Sequence, residues 1–485
     1  MKKICLLLLL VSSPPFANQH TIENGLRSPV TFENEPRTTY SVYERLAHYN
    51  VPAISFALID HGEIAWAQAY GTISATSEEK VTADTIFQAA SIAKPVTAFG
   101  VMRMNDEGAI NINSDISKYL TSLTLPESEF TANAKITFKN LLDHTSGLSG
   151  GGYQGYADSS EIPNDVETFF GQGPATNPTT KIEFVPNTQV RYSGAGYTLA
   201  EIALSDVFDR SFEDIMDEWV LSKLQMKNSS FSIEHPNTAG IQTAFGHDAK
   251  GNPIAGGWRR HPEQAAAGLW STPADLAKLA IEMSKAFNGK SNVLSQTAAQ
   301  EMLSRVLPEQ DLTEQFGGHP AMTFVIRGEN EGFMFKHSGG TVGYRCFLIM
   351  YPSTGKGAVF MTNSDAGFSI GLEMLRAASD VHHWPDYKET SYQRRTAMAK
   401  EQANFIGTYQ FDQGWKINVV PTKQADGLAI EFPNGDIYPL SAIRGDHAYV
   451  HPESGVEVSF ETSSNASVIS LYNQSARKIQ LETVN

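Results

Sequence analysis

The sequence predicts an α+β domain followed by a small all-β module. Three observations carry this. Strand-like runs sit at both ends of residues 38–384 with helical spacing between them, rather than in the regular strand–helix alternation of a parallel sheet. The chain turns polar over 383–402, with Pro385, Lys388 and Arg394-Arg395. Beyond Phe405, short alternating apolar runs recur, the pattern of a barrel or sandwich.

Taken in order, Ile54–Ile59 and Glu63–Ala67 read as a hairpin turning at Asp60-His61-Gly62. From Ser91 to about Glu107, apolar residues fall at helical spacing (Ile92, Val96, Phe99, Met102), and Gly108 stops the helix. The Gly- and Ser-rich stretches 146–160 and 171–180 read as long loops. Thr272-Pro273 opens a helix carrying Leu276 and Leu279. Met322–Ile326, Tyr344–Tyr351 and Ala358–Met361 read as strands, and Gly371–Val381 as a closing helix. Residues 386–402 read as a linker or short surface helix. In 403–485 the expected strands are Lys416–Val419, Leu428–Phe432, Ile437-Tyr438, Tyr449-Val450, Val456–Phe460, Ile469–Leu471 and Ile479–Leu481, with Pro433-Asn434-Gly435-Asp436 as a hairpin turn.

The totals limit the function. With 41% hydrophobic and 19% charged residues over 485, disorder and coiled coil are excluded. A formal charge of −16 repels phosphate backbones, and no run of five Lys or Arg offsets it, so no nucleic-acid partner is expected. Two cysteines, Cys5 and Cys346, cannot make a disulfide framework; Cys346 lies in an apolar run and is expected to be buried. Lys2-Lys3, the apolar Ile4–Val11 and the small Ala17 predict an export signal over 1–17, too short in its apolar part to span a bilayer. The expected location is periplasmic or secreted, with no integral membrane segment after the signal is removed.

The chemistry centres on Ser91-Ile92-Ala93-Lys94. Residues i and i+3 share a helix face, with Cβ atoms about 5–6 Å apart, so Ser91 and Lys94 could point into one cleft. A serine hydroxyl needs a base to become a nucleophile, and a desolvated lysine can be that base. The same residues also fit an ordinary helix start with a serine cap and a surface lysine. Two further segments bear on the choice. Arg191–Tyr197 is a Gly-rich turn opening a helix, and its Tyr192 could share a proton with the serine. In Phe335–Gly340, the small residues after His337 let a substrate backbone approach a strand edge. The order S-x-x-K, then Tyr, then His-Ser-Gly is what a penicillin-recognising site requires.

Weaker candidates stand beside these. Asp143-His144 could form a triad with Ser91. His382-His383 fits a surface pair better than a metal site, and neither metal nor cofactor is called for. His261-Pro262-Glu263 is expected to shape a loop near the site. Tyr153, Tyr156 and Trp258 could line a substrate pocket or belong to core and surface.

On these segments, together with Leu141–Leu148 and Ala265–Pro273, the chain resembles the serine β-lactamase and penicillin-binding-protein superfamily, nearest its class C β-lactamase, D,D-peptidase and family VIII esterase branch. The resemblance implies the D,D-peptidase/β-lactamase fold over 35–385, an antiparallel sheet flanked by helices plus a helical subdomain. A linker over 386–402 and a barrel similar to the lipocalin-like domain of some relatives over 403–485 would follow. It implies an acyl-enzyme on Ser91, proton transfer by Lys94 and Tyr192, and an oxyanion hole of the Ser91 and Gly340 N–H groups. His337 stands where many relatives have lysine. Ser338, Gly339, Gly194, Tyr153 and Trp258 are the expected substrate contacts.

One departure stands out: relatives usually have Tyr-x-Asn, whereas this chain has Tyr192-Ser193-Gly194. The missing amide favours esters over amides and β-lactams. No S-D-N segment is present, since Ser205-Asp206 and Ser364-Asp365 continue with Val207 and Ala366, which argues against class A. The expected activity is hydrolysis of a small ester, D-amino-acid peptide or related amide. Peptide cyclisation or transpeptidation through the same acyl-enzyme, and non-catalytic cell-wall binding, are the alternatives.

Overall fold

A computed structural model describes residues 15–157, 160–234, 242–423, 427–462, 467–472 and 474–479. The expected export signal lies outside the described residues except for its last three, which open the helix Pro15–Glu23. Gln480 and Leu481 of the last expected strand also lie outside. The chain divides into two compact units: Ser41–Gly371 forms the body of one, and Ile22–Tyr40 joins Leu372–Asn485 in the other.

The first unit is built on a seven-stranded antiparallel sheet. Its strands are β1 (Ala53–Asp60), β2 (Glu63–Gly71), β3 (His319–Pro320), β4 (Val325–Arg327), β5 (Met334–Thr341), β6 (Tyr344–Tyr351) and β7 (Lys356–Thr362), in the order β2-β1-β7-β6-β5-β4-β3. The continuous apolar run of β1 is buried along almost its whole length, as a central strand covered on both faces should be. The expected hairpin forms, with His61 at φ 52° and Gly62 at φ 74°, the two left-handed residues of a tight type I′ turn. The expected strand Met322–Ile326 begins only at Val325, because Thr323 sits at φ 62°, outside the extended region.

Helical matter lies between β2 and β3 in the chain, as the sequence predicts. Helix α1 (Ala93–Asp106) is buried on nearly every face and runs through the core among Leu141, Tyr197, Leu204 and Ile215. Helix α2 (Gly194–Phe208) is capped by the Ser193 side chain, which accepts from Gly196 N–H. The short helix α3 (Gln264–Ala267) precedes α4 (Pro273–Phe287), whose cap Thr272 and first-turn Pro273 match the expectation. The closing helix is Gly367–His382.

The second unit contains a closed antiparallel barrel. Its strands are β8 (Gly407–Phe411), β9 (Lys416–Pro421), β10 (Leu428–Glu431), β11 (Ile437–Ala442), β12 (Ala448–Val450), β13 (Glu457–Thr462), β14 (Ser467–Leu471) and β15 (Gln474–Ile479), and β8 pairs with β15 to close it. Alternate residues point inward, and the interior is filled by side chains such as Tyr409, Ile417, Tyr449, Phe460 and Ile469. Phe405 stacks on Phe460 at 4.2 Å between ring centroids. The stretch expected as a linker or short surface helix holds such a helix and also a paired strand. Thr390–Tyr392 pairs in parallel with Val30–Phe32, and Ala399–Phe405 is a helix. Arg27, almost fully buried, is satisfied by Glu389 and Asp380 in this unit. Among the described residues, no helix is long and apolar enough to cross a membrane.

Candidate active site

Ser91 sits on a tight turn. The preceding Ala90 is buried at φ 48°, a left-handed conformation that costs an L-residue about 1–2 kcal/mol. Neighbouring contacts hold the turn: Ala89 N–H donates to Leu269 O at 2.8 Å, and the buried Cys346 thiol donates to Ala89 O at 2.9 Å. Burial also raises the thiol pKa, so Cys346 is a packing residue.

One helical turn on, Lys94 is 2% exposed. Its ammonium donates to Ser91 Oγ at 3.3 Å and to Ala266 O at 2.7 Å. It also lies 4.9 Å from the Tyr192 ring centre, within cation–π range. The Tyr192 hydroxyl donates to Ser91 Oγ at 2.9 Å. The alternative of a serine cap with a surface lysine is therefore overturned: Ser91 caps nothing, and Lys94 is buried against it.

The Asp143–His144–Ser91 triad does not assemble. Asp143 Oδ1 accepts from the Thr145 N–H at 3.1 Å and hydroxyl at 2.6 Å. His144 Nδ1 accepts from Ser193 N–H at 3.2 Å, and its ring packs on Tyr192 at 4.5 Å. His144 thus props the tyrosine from behind. Burial, and then the charge of Lys94, push its pKa well below the ordinary value, so it is neutral. Burial raises the Asp143 carboxyl to about 6.

Opposite stands β5. Its pairing with β4 ends at Lys336, so residues 337–341 pair with no strand but β6 and leave an open edge. His337 is buried there, with its pKa pushed down to about 3, chiefly by burial and then by Lys94. Ser338 and Gly340 are exposed on this edge and line the cleft. Gly339 has a different use from the one expected. A Cβ at Gly339 would lie 2.5 Å from Ala89 O, so its bareness lets the Ser91 turn pack onto β5, not a substrate.

The resulting cleft encloses about 470 Å3. Ser91, His144, Tyr192, His337, Ser338 and Gly340 line its polar side, and Val190, Phe316, Phe324, Val325 and Phe347 an apolar side. Besides Gly339, three expected contacts are not in its lining. The Tyr153 hydroxyl pairs with Thr198 Oγ1 at 2.9 Å, Gly194 is buried beneath the Tyr153 ring, and Trp258 packs on Phe245 and Trp270. Tyr156 is likewise structural, accepting from Thr176 N–H at 3.1 Å. The apolar wall and the lysine's partner, Ala266 O, escaped the sequence reading. No local pattern distinguishes Phe316 or Phe324 from core residues, and a backbone carbonyl leaves no mark in a sequence.

The family model described as Beta-lactamase matches residues 41–382. Protein flp of Staphylococcus aureus (strain MW2) is 22% identical over 338 residues, 66% of this chain, which spans 61% of that relative's length. Penicillin-binding protein 4* of Bacillus subtilis (strain 168) is 20% identical over 453 residues, 85% of this chain and 91% of the relative. Among solved structures, the octameric penicillin-binding protein homologue from Pyrococcus abyssi superposes with a TM-score of 0.61 at 19% identity, covering 90% of this chain and 98% of that one. The D-amino acid amidase from Ochrobactrum anthropi SV3 superposes with a TM-score of 0.56 at 19% identity, covering 76% and 99%. At such identities the two structures share the fold.

Proposed function

The chain belongs to the beta-lactamase family, and from that premise we propose that it is an exported serine hydrolase that forms an acyl-enzyme through Ser91. The observation that carries the proposal is the convergence of Lys94 Nζ and Tyr192 OH on Ser91 Oγ, at 3.3 and 2.9 Å. Either group, once deprotonated, takes the serine proton through the contact it already makes. Ser91 Oγ then attacks the substrate carbonyl, and the carbonyl oxygen gains the negative charge. We assign the binding of that oxygen to the N–H groups of Ser91 and Gly340, and one such donor is worth about 10²–10³ in rate. The stored proton passes to the leaving group as its bond breaks. Water then repeats the sequence on the acyl-enzyme and frees the acid.

The substrate we propose is an ester, a D-amino-acid peptide or a related amide, with esters favoured. An apolar wall of Val190, Phe316, Phe324 and Phe347 suits an apolar acyl group or side chain. His337 is neutral, so it offers a hydrogen bond rather than a counter-ion to a substrate carboxylate. No side chain at residue 194 reaches the lysine or the substrate's amide. Export to the periplasm or medium rests on the basic and apolar pattern of residues 1–17 and on bacterial relatives. Hydrolysis of activated short-chain esters, lost in Ser91→Ala and Lys94→Ala, tests the reading. Full activity in either variant would overturn it.

A further inference from the structure

Gly340 lies on the open edge of β5, where no strand on the cleft side fixes its N–H. The next residue, Thr341, is buried, and its Oγ1 lies 3.0 Å from His261 Nε2. His261 Nδ1 lies 3.0 Å from Glu263 Oε1. His261 is 2% exposed and Glu263 is fully buried. The imidazole is clamped in place: a Cβ on Gly155, itself at φ 68°, would lie 2.7 Å from His261 Cε1. With Glu263 accepting from Nδ1–H, Nε2 is left to accept the Thr341 hydroxyl proton. Carboxylate, imidazole and hydroxyl thus follow the order that activates a nucleophilic serine. Here the hydroxyl is buried and does not line the cleft. The arrangement fixes a direction instead of supplying a base. The same loop reaches the other half of the site, where Ala266 O holds Lys94 Nζ.

We propose that Thr341, locked by the His261–Glu263 pair, is a positioning residue that aims the Gly340 N–H at the developing oxyanion. This rests on the Ser91 acyl-enzyme reading. Loosening the lock should weaken transition-state binding more than ground-state binding, so kcat should fall while KM holds.

The test uses the full chain and an activated short-chain ester, with melting temperatures to confirm folding. Thr341→Val keeps the shape and removes the hydroxyl. It should lower kcat by about tenfold or more, a fraction of the loss of a whole oxyanion donor, with KM within about twofold. Thr341→Ser should restore kcat to within about threefold of wild type, because the hydroxyl returns. Glu263→Gln presents an N–H to Nδ1 and reverses the polarity of the lock. It should repeat the kcat loss and serves if Thr341→Val does not fold. Wild-type kcat in both Thr341→Val and Glu263→Gln, or a Thr341→Ser as slow as Thr341→Val, would overturn the proposal. Intact mass separates the two levels. A wild type that never acylates at Ser91 overturns the acyl-enzyme reading and this proposal together. Normal acylation in wild type and in both lock variants overturns this one alone.

Discussion

The ring of Tyr153 occupies the space that a side chain at position 194 would need: a Cβ on Gly194 would lie 2.7 Å from Tyr153 Cε2 and 2.9 Å from Gly151 O. Gly194 is therefore matched by a neighbour whose ring fills the volume a side chain there would need. Gly194→Asn should not simply restore an amide to the site. Overpacking of this kind costs about 1–3 kcal/mol. Urea unfolding should show that loss, and Tyr153→Ala in the same chain should recover part of it. Strictly additive effects of the two substitutions would contradict the steric account.

Tyr192 is exposed at its edge and bonds Ser91 through its hydroxyl alone. Tyr192→Phe should leave the melting temperature almost unchanged. It should lower kcat by about 10²–10⁴, the usual worth of a positioned proton-transfer group. Ester hydrolysis under single-turnover conditions reads this directly, and an unchanged acylation rate would remove Tyr192 from the proton path.

His337 titrates at about 3 in the fold, against 6.5 for a free side chain. Between those values the unfolded chain binds a proton that the folded chain refuses, so stability falls as pH falls across that window. His144 is shifted in the same direction by burial. Asp165, raised to about 7 by burial and then by Glu263, acts in the opposite sense. His337→Gln removes the contribution of that imidazole. The stability gap between wild type and variant should therefore narrow from about pH 7.5 to about pH 4.5 in urea unfolding. A gap that stays constant would contradict the buried neutral imidazole.

Ala90 holds φ 48° just before the nucleophile. Ala90→Gly relieves about 1–2 kcal/mol of left-handed strain and adds about 0.4–1 kcal/mol of unfolded-chain entropy. The net effect should be a small rise in melting temperature. Ala90→Val should lower it clearly, because a β-branched residue resists that conformation.

Features carried by local spacing were legible in the sequence. Ser91 and Lys94 meet because they are three residues apart, where the 3₁₀ turn Ala90–Ile92 runs straight into α1. The hairpin at His61-Gly62 and the cap at Thr272-Pro273 likewise obey local rules. The barrel strands announced themselves by alternation. Features that depend on distant partners were not legible. Val30–Phe32 finds its mate at Thr390–Tyr392, which turns an expected linker into paired structure. Gly339 is small for the sake of Ala89, far away in sequence. Tyr153 reads as a pocket aromatic until Thr198 and Gly194 are seen beside it.

The most direct measurement is the intact mass of the protein after brief exposure to an activated short-chain ester and, separately, to a penicillin. Wild type should show ester turnover or an acyl adduct, both lost in Ser91→Ala, with the ester processed more readily than the penicillin. An adduct or turnover that survives Ser91→Ala, or a wild type inert to both reagents, would contradict the Ser91 acyl-enzyme.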